Sequence, residues 1–422
     1  MTASHGKPGD SGSATWRRTL STCNLHPHLH DGRPNPNQSK PGQRHLYVAL
    51  DDSKGYALYK LNVDDLADMD SDVVAGAEDL HRLPEPVIRL GFCSFGKHAH
   101  FNALGSNIVV TGTAGKDPYD KAAKSLTLVY DTKTGTQEIG QYLPDGLQTW
   151  NNQNLNLIMT MTTATMMHAL HDDDNDHDDD DDDDGGGDDD ERGQDEEQWT
   201  WKRSHLSIPF TSEDEHSIKN SYSHVLNRAV HPNGHTIFMS VVDWRRPGTI
   251  TGTLSWDTSQ RSNEWTRLGD WHLPFICQAY YDHALDAWVG YQHSDGTDGG
   301  IKNCYHLCSC DVPALGEDPV PRPPDSKLCK ETLTFLEAPL SALSRTLVHV
   351  ARGRFCLVEI TRRKGTKVRC SLDDDHLLHV TMLDARYGKN GELMATPCRP
   401  GRTYLIPRYD PSTINKPPAF WM

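Results

Sequence analysis

Residues 101–112, FNALGSNIVVTG, and residues 127–140, TLVYDTKTGTQEIG, decide how this chain is read. Ile108, Val109 and Val110 form a short apolar run, and Leu126, Leu128 and Tyr130 alternate with Thr127 and Val129. Short runs of β-branched and aromatic residues read as strands. The DTKTG at 131–135 reads as a turn, because Asp bonds its own backbone and Gly tolerates positive φ. The stretch is a meander of three or four antiparallel strands. One such unit cannot bury both of its faces, so it needs copies of itself on either side.

Copies lie in both directions. HLYVALDDSKGYALYKLNV (45–63) is a hairpin, with strands at 45–50 and 56–63 around a DDSKG turn. Residues 64–86 are acidic and Pro-bounded and read as a connecting loop, before the apolar VIRLGF (87–92). HPNGHTIFMSVVDW (231–244) sets an NG turn before a strand. GTLSWDTSQRSNEWTRLG (252–269) echoes the first unit: a strand ending in an aromatic, Asp-Thr, a polar turn, a strand, then Gly. Tyr142-Leu143-Pro144 is answered downstream by His272-Leu273-Pro274. YYDHALDAWVGYQ (280–292) and NCYHLCSCDV (303–312) read as a shorter copy, followed by a Pro-rich linker at 313–328. The last copy is TLVHVARGRFCLVEI (346–360), a turn around RRKGTKVR (362–369), and LLHVTMLDARYGKNGEL (377–393). A further unit is expected over 150–210, with strands near Leu155 and near Trp199, Trp201, His205 and Leu206 on either side of an acidic insertion.

Recurring Asp residues give the period. Asp131 and Asp257 are 126 residues apart, or 100 without the 26-residue acidic run, and Asp257 and Asp311 are 54 apart. A period of about 50 is that of kelch-like blades. The expected fold is all-β: a kelch-like β-propeller of about six blades of antiparallel meanders over 44–408, its closing blade completed by strands from both ends of the chain. A disordered N-terminal segment (1–43), an acidic disordered insertion (168–198) and an extended C-terminal tail (409–422) complete the expected domain plan. A stacked β-sandwich is the other architecture compatible with the pattern.

Composition narrows the function classes. The formal charge of −17 is local: residues 172–197 hold 18 acidic residues and one Arg, leaving 41 acidic and 41 basic residues elsewhere. A neutral body gives no basic field for nucleic acid. No run of about 18 apolar residues is present, which argues against a membrane-spanning helix. The first residues, MTASHGKPGDSGS, contain no apolar stretch suited to secretion, so a cytoplasmic or nuclear location is expected. The ten cysteines are then read as thiols, with Cys93, Cys277 and Cys356 packing as small hydrophobes inside apolar runs.

Several motifs resemble a known family. RHLYVALDDSKGYALYKLNVDDL (44–66), PEPVIRL (84–90), ALGSNIVV (103–110) with TLVYDTKTG, and FCLVEI (355–360) with LLHVTMLDARYGKNGEL are similar in order and spacing to domain-of-unknown-function family 1668, uncharacterised kelch-like propellers expanded in rice and other grasses. The resemblance spans 44–408. It implies an intracellular plant propeller and supplies no catalytic residues, and the poly-Asp insertion is not part of its pattern.

Each conspicuous motif has a plain structural explanation. Cys23, His26, His28 and His30 have no second cluster to complete a zinc site. Asp172, Asp174 and Asp176 match the first ligand positions of a calcium loop, but His177 stands where the turn requires Gly. The acidic run reads as a solvated loop, or as a docking tract for a basic partner. Cys304, His306, Cys308 and Cys310 read as strand thiols around one His, and Arg362, Arg363, Lys364, Lys367 and Arg369 as an exposed hairpin turn. Trp244, Arg245 and Arg246, at a strand end, form the candidate protein-interaction site. No GxSxG, HExxH, GxxxxGK[ST] or strand-linked GxGxxG motif occurs, so no catalytic residue, cofactor or metal is expected. With 23 His and many Asp, a chance Asp–His pair is not by itself a catalytic site. The expected function is a non-catalytic interaction propeller with a protein partner. The alternative is a propeller enzyme, or a carbohydrate or small-ligand binder using the central channel. Convergent polar groups with perturbed pKa values would favour that alternative.

Overall fold

The computed structural model describes residues 44–52, 55–62, 80–91, 99–113, 125–140, 223–243, 250–259, 265–294, 304–315, 322–333, 344–362, 376–397, 401–406, 409 and 417–422. Among the described residues the regular structure is entirely β. The first group comprises β1 (Leu46–Asp52), β2 (Gly55–Leu61), β3 (Leu80–Arg82) and β4 (Ile88–Gly91). A meander follows: β5 (His100–Leu104), β6 (Asn107–Thr113), β7 (Ser125–Asp131) and β8 (Gln137–Gly140). The next two are β9 (Ser223–Val230), β10 (Thr236–Asp243), β11 (Ile250–Asp257) and β12 (Thr266–Gly269), then β13 (Ile276–Asp282), β14 (Ala287–Ser294), β15 (Cys304–Cys310) and β16 (Ser326–Thr332). The last group is β17 (Ser344–Ala351), β18 (Arg354–Arg362), β19 (His376–Tyr387), β20 (Leu393–Pro397), β21 (Arg402–Ile406) and β22 (Ala419–Trp421).

The strands form meanders of about four, arranged as β22-β1-β2-β4, β5-β6-β7-β8, β9-β10-β11-β12, β13-β14-β15-β16, and β17-β18-β19 with β20 and β21 both on β19. Middle strands are buried on both faces: seven consecutive residues of β18 are buried. The fourth strands β8 and β16 are largely exposed: only Cys329 of the two is buried. Charged residues on β16, such as Lys327, Lys330 and Glu331, protect an open edge from further pairing.

Faces pack in sequence. One face of β1–β2 (Leu46, Val48, Leu50) meets Val358, Ile360 and Val380 of β18 and β19. Its other face (Tyr47, Ala49, Leu58) meets Ile108, Val110 and Leu128 of β6 and β7. The β17–β20 group covers β14 and β15 through Phe355, Leu357, Val289 and Leu307. The β13–β16 meander then covers β9 and β10 through Trp288, Ala279, Phe238 and Ala229. Each fully buried Val, Leu, Ile or Phe side chain among these contributes about 1.5–3 kcal/mol by leaving water. Apart from the first and last meanders, which meet each other, the meanders that touch are consecutive along the chain, and β22 returns the end of the chain to β1. His45 and Met422 exchange backbone bonds at 2.6 and 3.0 Å there, so strands from both ends do share one sheet.

The expected count of about six blades is not confirmed. Five meanders lie in the described residues, and the unit expected over 150–210, like the segments 1–43 and 168–198, lies outside them. Three details differ from expectation. Residues 80–82, read as loop, form β3, which pairs in parallel with β21. The copy at 280–312 is a full meander rather than a shorter one. Its fourth strand, β16, begins inside the Pro-rich linker, because a polar edge strand lacks the apolar alternation that marks inner strands.

The period markers are equivalent positions. Asp131 and Asp257 end the third strands β7 and β11, and Asp311 directly follows the third strand β15. Asp131 Oδ1 accepts from Lys133 N at 2.9 Å, and Asp257 Oδ1 accepts from Ser259 N at 2.9 Å. Gly135 closes the first turn at φ +75°, a conformation that favours glycine.

Candidate functional site

The β9–β10–β11–β12 and β13–β14–β15–β16 meanders join through their first strands, which pair in parallel: Asn227 with Cys277, Arg228 with Gln278, Ala229 with Ala279. Side chains alternate along a strand. Ala229 and Ala279 turn into the core between the two meanders, so Arg228 and Gln278 face the opposite side of the strand pair.

Arg228 is mostly buried there. Its Nη2 donates to Gln278 Oε1 at 3.1 Å, and its buried Nε has no hydrogen-bond partner among the described residues. Among the described residues no carboxylate pairs with it. Burial pulls the guanidinium below its usual range, opposed by the nearby Cys277 and Tyr280. Burial likewise pushes the Tyr280 phenol up to about 12, with Arg228 opposing. The Tyr280 ring stacks on His349 of β17, with centroids 6.4 Å apart. Cys277, in a bulge of β13, has a φ of +67°, uncommon for a residue with a Cβ.

Arg345 of β17 is satisfied by contrast. Its Nε donates to Glu359 Oε1, its guanidinium lies 4.1 Å from the Tyr305 ring centroid, and its carbonyl accepts from Tyr291 Oη at 3.2 Å. Tyr291 and Tyr305 meet edge to face at 5.9 Å. Burial, then Cys277 and Tyr305, hold the Tyr291 phenol well above its usual range. Cys277 and Tyr291 thus link the Arg228 side of this cluster to the Arg345–Glu359 side.

Two Asp–His pairs are structural. Asp282 is fully buried: Oδ1 accepts from Ala284 N (2.9 Å) and Leu285 N (3.0 Å), and Oδ2 accepts from Gly353 N (2.6 Å) and lies 2.9 Å from His349 Nε2. The carboxylate ties the β13–β14 turn to the β17–β18 turn. Burial raises its pKa, but the bonds from Gly353, His349, Leu285 and Ala284 outweigh burial and hold it below the usual range. His235 Nδ1 and Asp257 Oδ1, 2.8 Å apart, join two turns of the β9–β12 meander. Another histidine, His379, is buried; it lies 2.9 Å from Thr361 Oγ1 through Nε2 and 2.9 Å from Thr403 Oγ1 through Nδ1, and burial lowers its pKa to about 4.

Of the residues expected from sequence, Trp244, Arg245 and Arg246 lie outside the described residues, as do Cys23, His26, His28, His30 and the acidic run. Cys308 and Cys310 are buried, and burial pushes the Cys308 thiol up to about 12 and the Cys310 thiol higher still. His306 Nδ1 lies 3.1 Å from the Glu331 carbonyl. Among the described residues no group of three or more His, Cys, Asp or Glu is placed to hold a metal. Arg228 was missed because the copy containing it was started at His231. The clue was present in SHVLNRAV (223–230), where Arg occupies an inner-strand position just before the NG turn.

Residues 43–404 match the family described as protein of unknown function (DUF1668). The chain belongs to that family. No curated protein matches this DUF1668 member in sequence. The chain resembles several solved structures, among them two named as enzymes. One is a GH43 endo-arabinanase from Bacillus licheniformis, at 7% identity over 84% of this chain and 94% of the other, with a TM-score of 0.32. The other is an α-L-arabinofuranosidase from Clostridium thermocellum, at 10% identity over 85% and 95%, with a TM-score of 0.31. The expectation of a non-catalytic protein-interaction propeller is corrected here, since these two structures are named as enzymes and not as interaction modules. Likeness at this level transfers no activity and no residue role.

Proposed function

We propose that this chain is a small-ligand-binding β-propeller whose ligand sits against the first strands β9 and β13, in contact with Arg228, Gln278 and Tyr280. The observation that carries this is the buried guanidinium of Arg228, which among the described residues has no carboxylate partner and an Nε that bonds nothing. A buried donor left unpaired costs about 1–3 kcal/mol, more for a charged group. Elsewhere the same fold pairs its buried arginine, Arg345, with Glu359. Polar groups that converge with perturbed titration on one side of a rigid strand pair have the character of a binding site. Both Asp–His pairs hold turns together, and no reaction is assigned to them.

The kelch-like, roughly six-bladed ring belongs to the same proposal. It is supported by the stacking order of the five described meanders, in which the first meets both the second and the last. In such a ring the first strands β9 and β13 lie nearest the axis.

The test is alkylation of Cys277, which lies beside the site and is the partly buried one of five described thiols. Iodoacetamide labelling of the full chain is mapped by mass spectrometry in the presence of monosaccharides, sugar acids, sugar phosphates and amino acids. A saturable slowing at Cys277 by one class supports the site. Equal labelling rates with every class would sink it.

A further inference from the structure

The chemistry around Arg228 also defines the ligand's charge, given that a small ligand binds there at all. Its neighbours on that side are an amide, Gln278, and a phenol, Tyr280. The described carboxylates bound to residues of this cluster are engaged: Asp282, which bonds the His349 that stacks on Tyr280, has four hydrogen-bonding partners, and Glu359 is bound to Arg345. Burial keeps the Tyr280 phenol protonated at neutral pH. Among the described residues the site therefore carries one positive charge with no free negative charge to offset it.

We infer that the ligand presents a single carboxylate, seated on the Nε–H and a free Nη–H of Arg228, with the Gln278 amide and the Tyr280 hydroxyl as neighbouring donors. A planar carboxylate matches the fork of a guanidinium with two parallel bonds, and it satisfies the Nε–H that the described residues leave unpaired. It brings one negative charge to one positive charge. A phosphate monoester brings about −1.5 to −2 and three oxygens, so with one guanidinium it leaves excess charge and unpaired acceptors in a buried place.

The experiment uses three ligands that share one pyranose ring: galactose, galacturonate and galactose 6-phosphate. Benzoate and acetate are added as carboxylates without a sugar. Binding to the full chain is followed by isothermal titration and by thermal midpoint, in wild type, Arg228→Met, Arg228→Lys and Gln278→Ala. The expected result is binding of at least one carboxylate, weakened at least 100-fold by Arg228→Met and less by Arg228→Lys, with the phosphate at least 10-fold weaker. The ligand-free midpoint of Arg228→Met should equal or exceed that of wild type, because an uncompensated buried charge is removed. Variants that lose binding while keeping the midpoint are folded, which separates a binding role from a structural one. Tighter binding of the phosphate than of any carboxylate would overturn the carboxylate assignment and leave the site standing. So would neutral galactose binding that Gln278→Ala weakens and Arg228→Met does not. Binding of no probe, with Cys277 unprotected, would overturn both.

Discussion

Replacing Asp282 by Asn tests how neighbouring meanders are held in register. The native carboxylate is fully buried and takes four hydrogen bonds, two within its own turn and two from His349 and Gly353 of the next meander. Asparagine keeps one acceptor oxygen, which can go on serving Ala284 and Leu285. Its NH2 replaces Oδ2, and a second donor then faces the Gly353 N–H. Two bonds to a charged acceptor, each worth about 1.5–3 kcal/mol, are lost, so the expected destabilisation is roughly 3–5 kcal/mol. The folded pKa of Asp282 lies below its unfolded value, so its contribution is complete above the unfolded pKa of about 4 and is lost as pH falls through the folded value. Urea unfolding followed by far-UV circular dichroism should show the full gap between wild type and Asp282→Asn at pH 5–7, closing below about pH 4. Asp286→Asn is the control. Asp286 is exposed, with φ +48°, a conformation Asn tolerates, so a change under about 0.5 kcal/mol is expected. A gap below about 1 kcal/mol at pH 7, or one unchanged down to pH 3, would refute the assignment of Asp282 as the tie between these turns.

Two further outcomes are expected. The folded pKa of His379 lies near 4 and an unfolded histidine near 6.5, so the unfolded chain takes up a proton that the folded chain refuses. Stability should fall by up to about 3 kcal/mol between pH 6.5 and 4 on this account. His379→Phe should flatten that slope while costing about 2 kcal/mol at pH 7 through the Thr361 and Thr403 hydroxyls left unpaired, and parallel slopes in urea titrations would count against it. Removing residues 417–422 takes away the acceptors of His45 N and Ala49 N, so amide exchange at those two positions should speed markedly while the β2–β4 ladder stays protected. Unchanged exchange at both would mean that β22 does not hold β1.

The meanders were legible because their signals are local. Asp131 and Gly135 fix a turn through their own backbone chemistry, and the same chemistry at Asp257 exposed the repeat before any contact was known. The edge strands were less legible. In β16 only Cys329 is buried, so nothing in its sequence distinguishes it from the linker it extends. β3 depends wholly on pairing with β21, more than 300 residues away, and no local pattern carries that information. Cys277 was misread for a related reason. It stands in an apolar context, but a bulge and a positive φ take it out of the alternation that would have packed it inward.

Arg228 is hardest to read because its meaning lies in a partner it does not have. A sequence shows that an arginine stands in a strand, but not which carboxylate, if any, reaches it. Arg345 provides the comparison within one molecule. Both arginines lie on first strands and both are largely out of water, yet only Arg345 meets a carboxylate and an aromatic face. Had stability alone shaped the β9–β13 pair, an apolar side chain in place of Arg228 would have served at least as well, since buried charges are replaced by packed hydrophobes at little or no cost. A charged group kept in an unsatisfied state on a rigid strand pair fits a role completed by something the chain itself does not supply, and a carboxylate ligand is the complement its free donors describe.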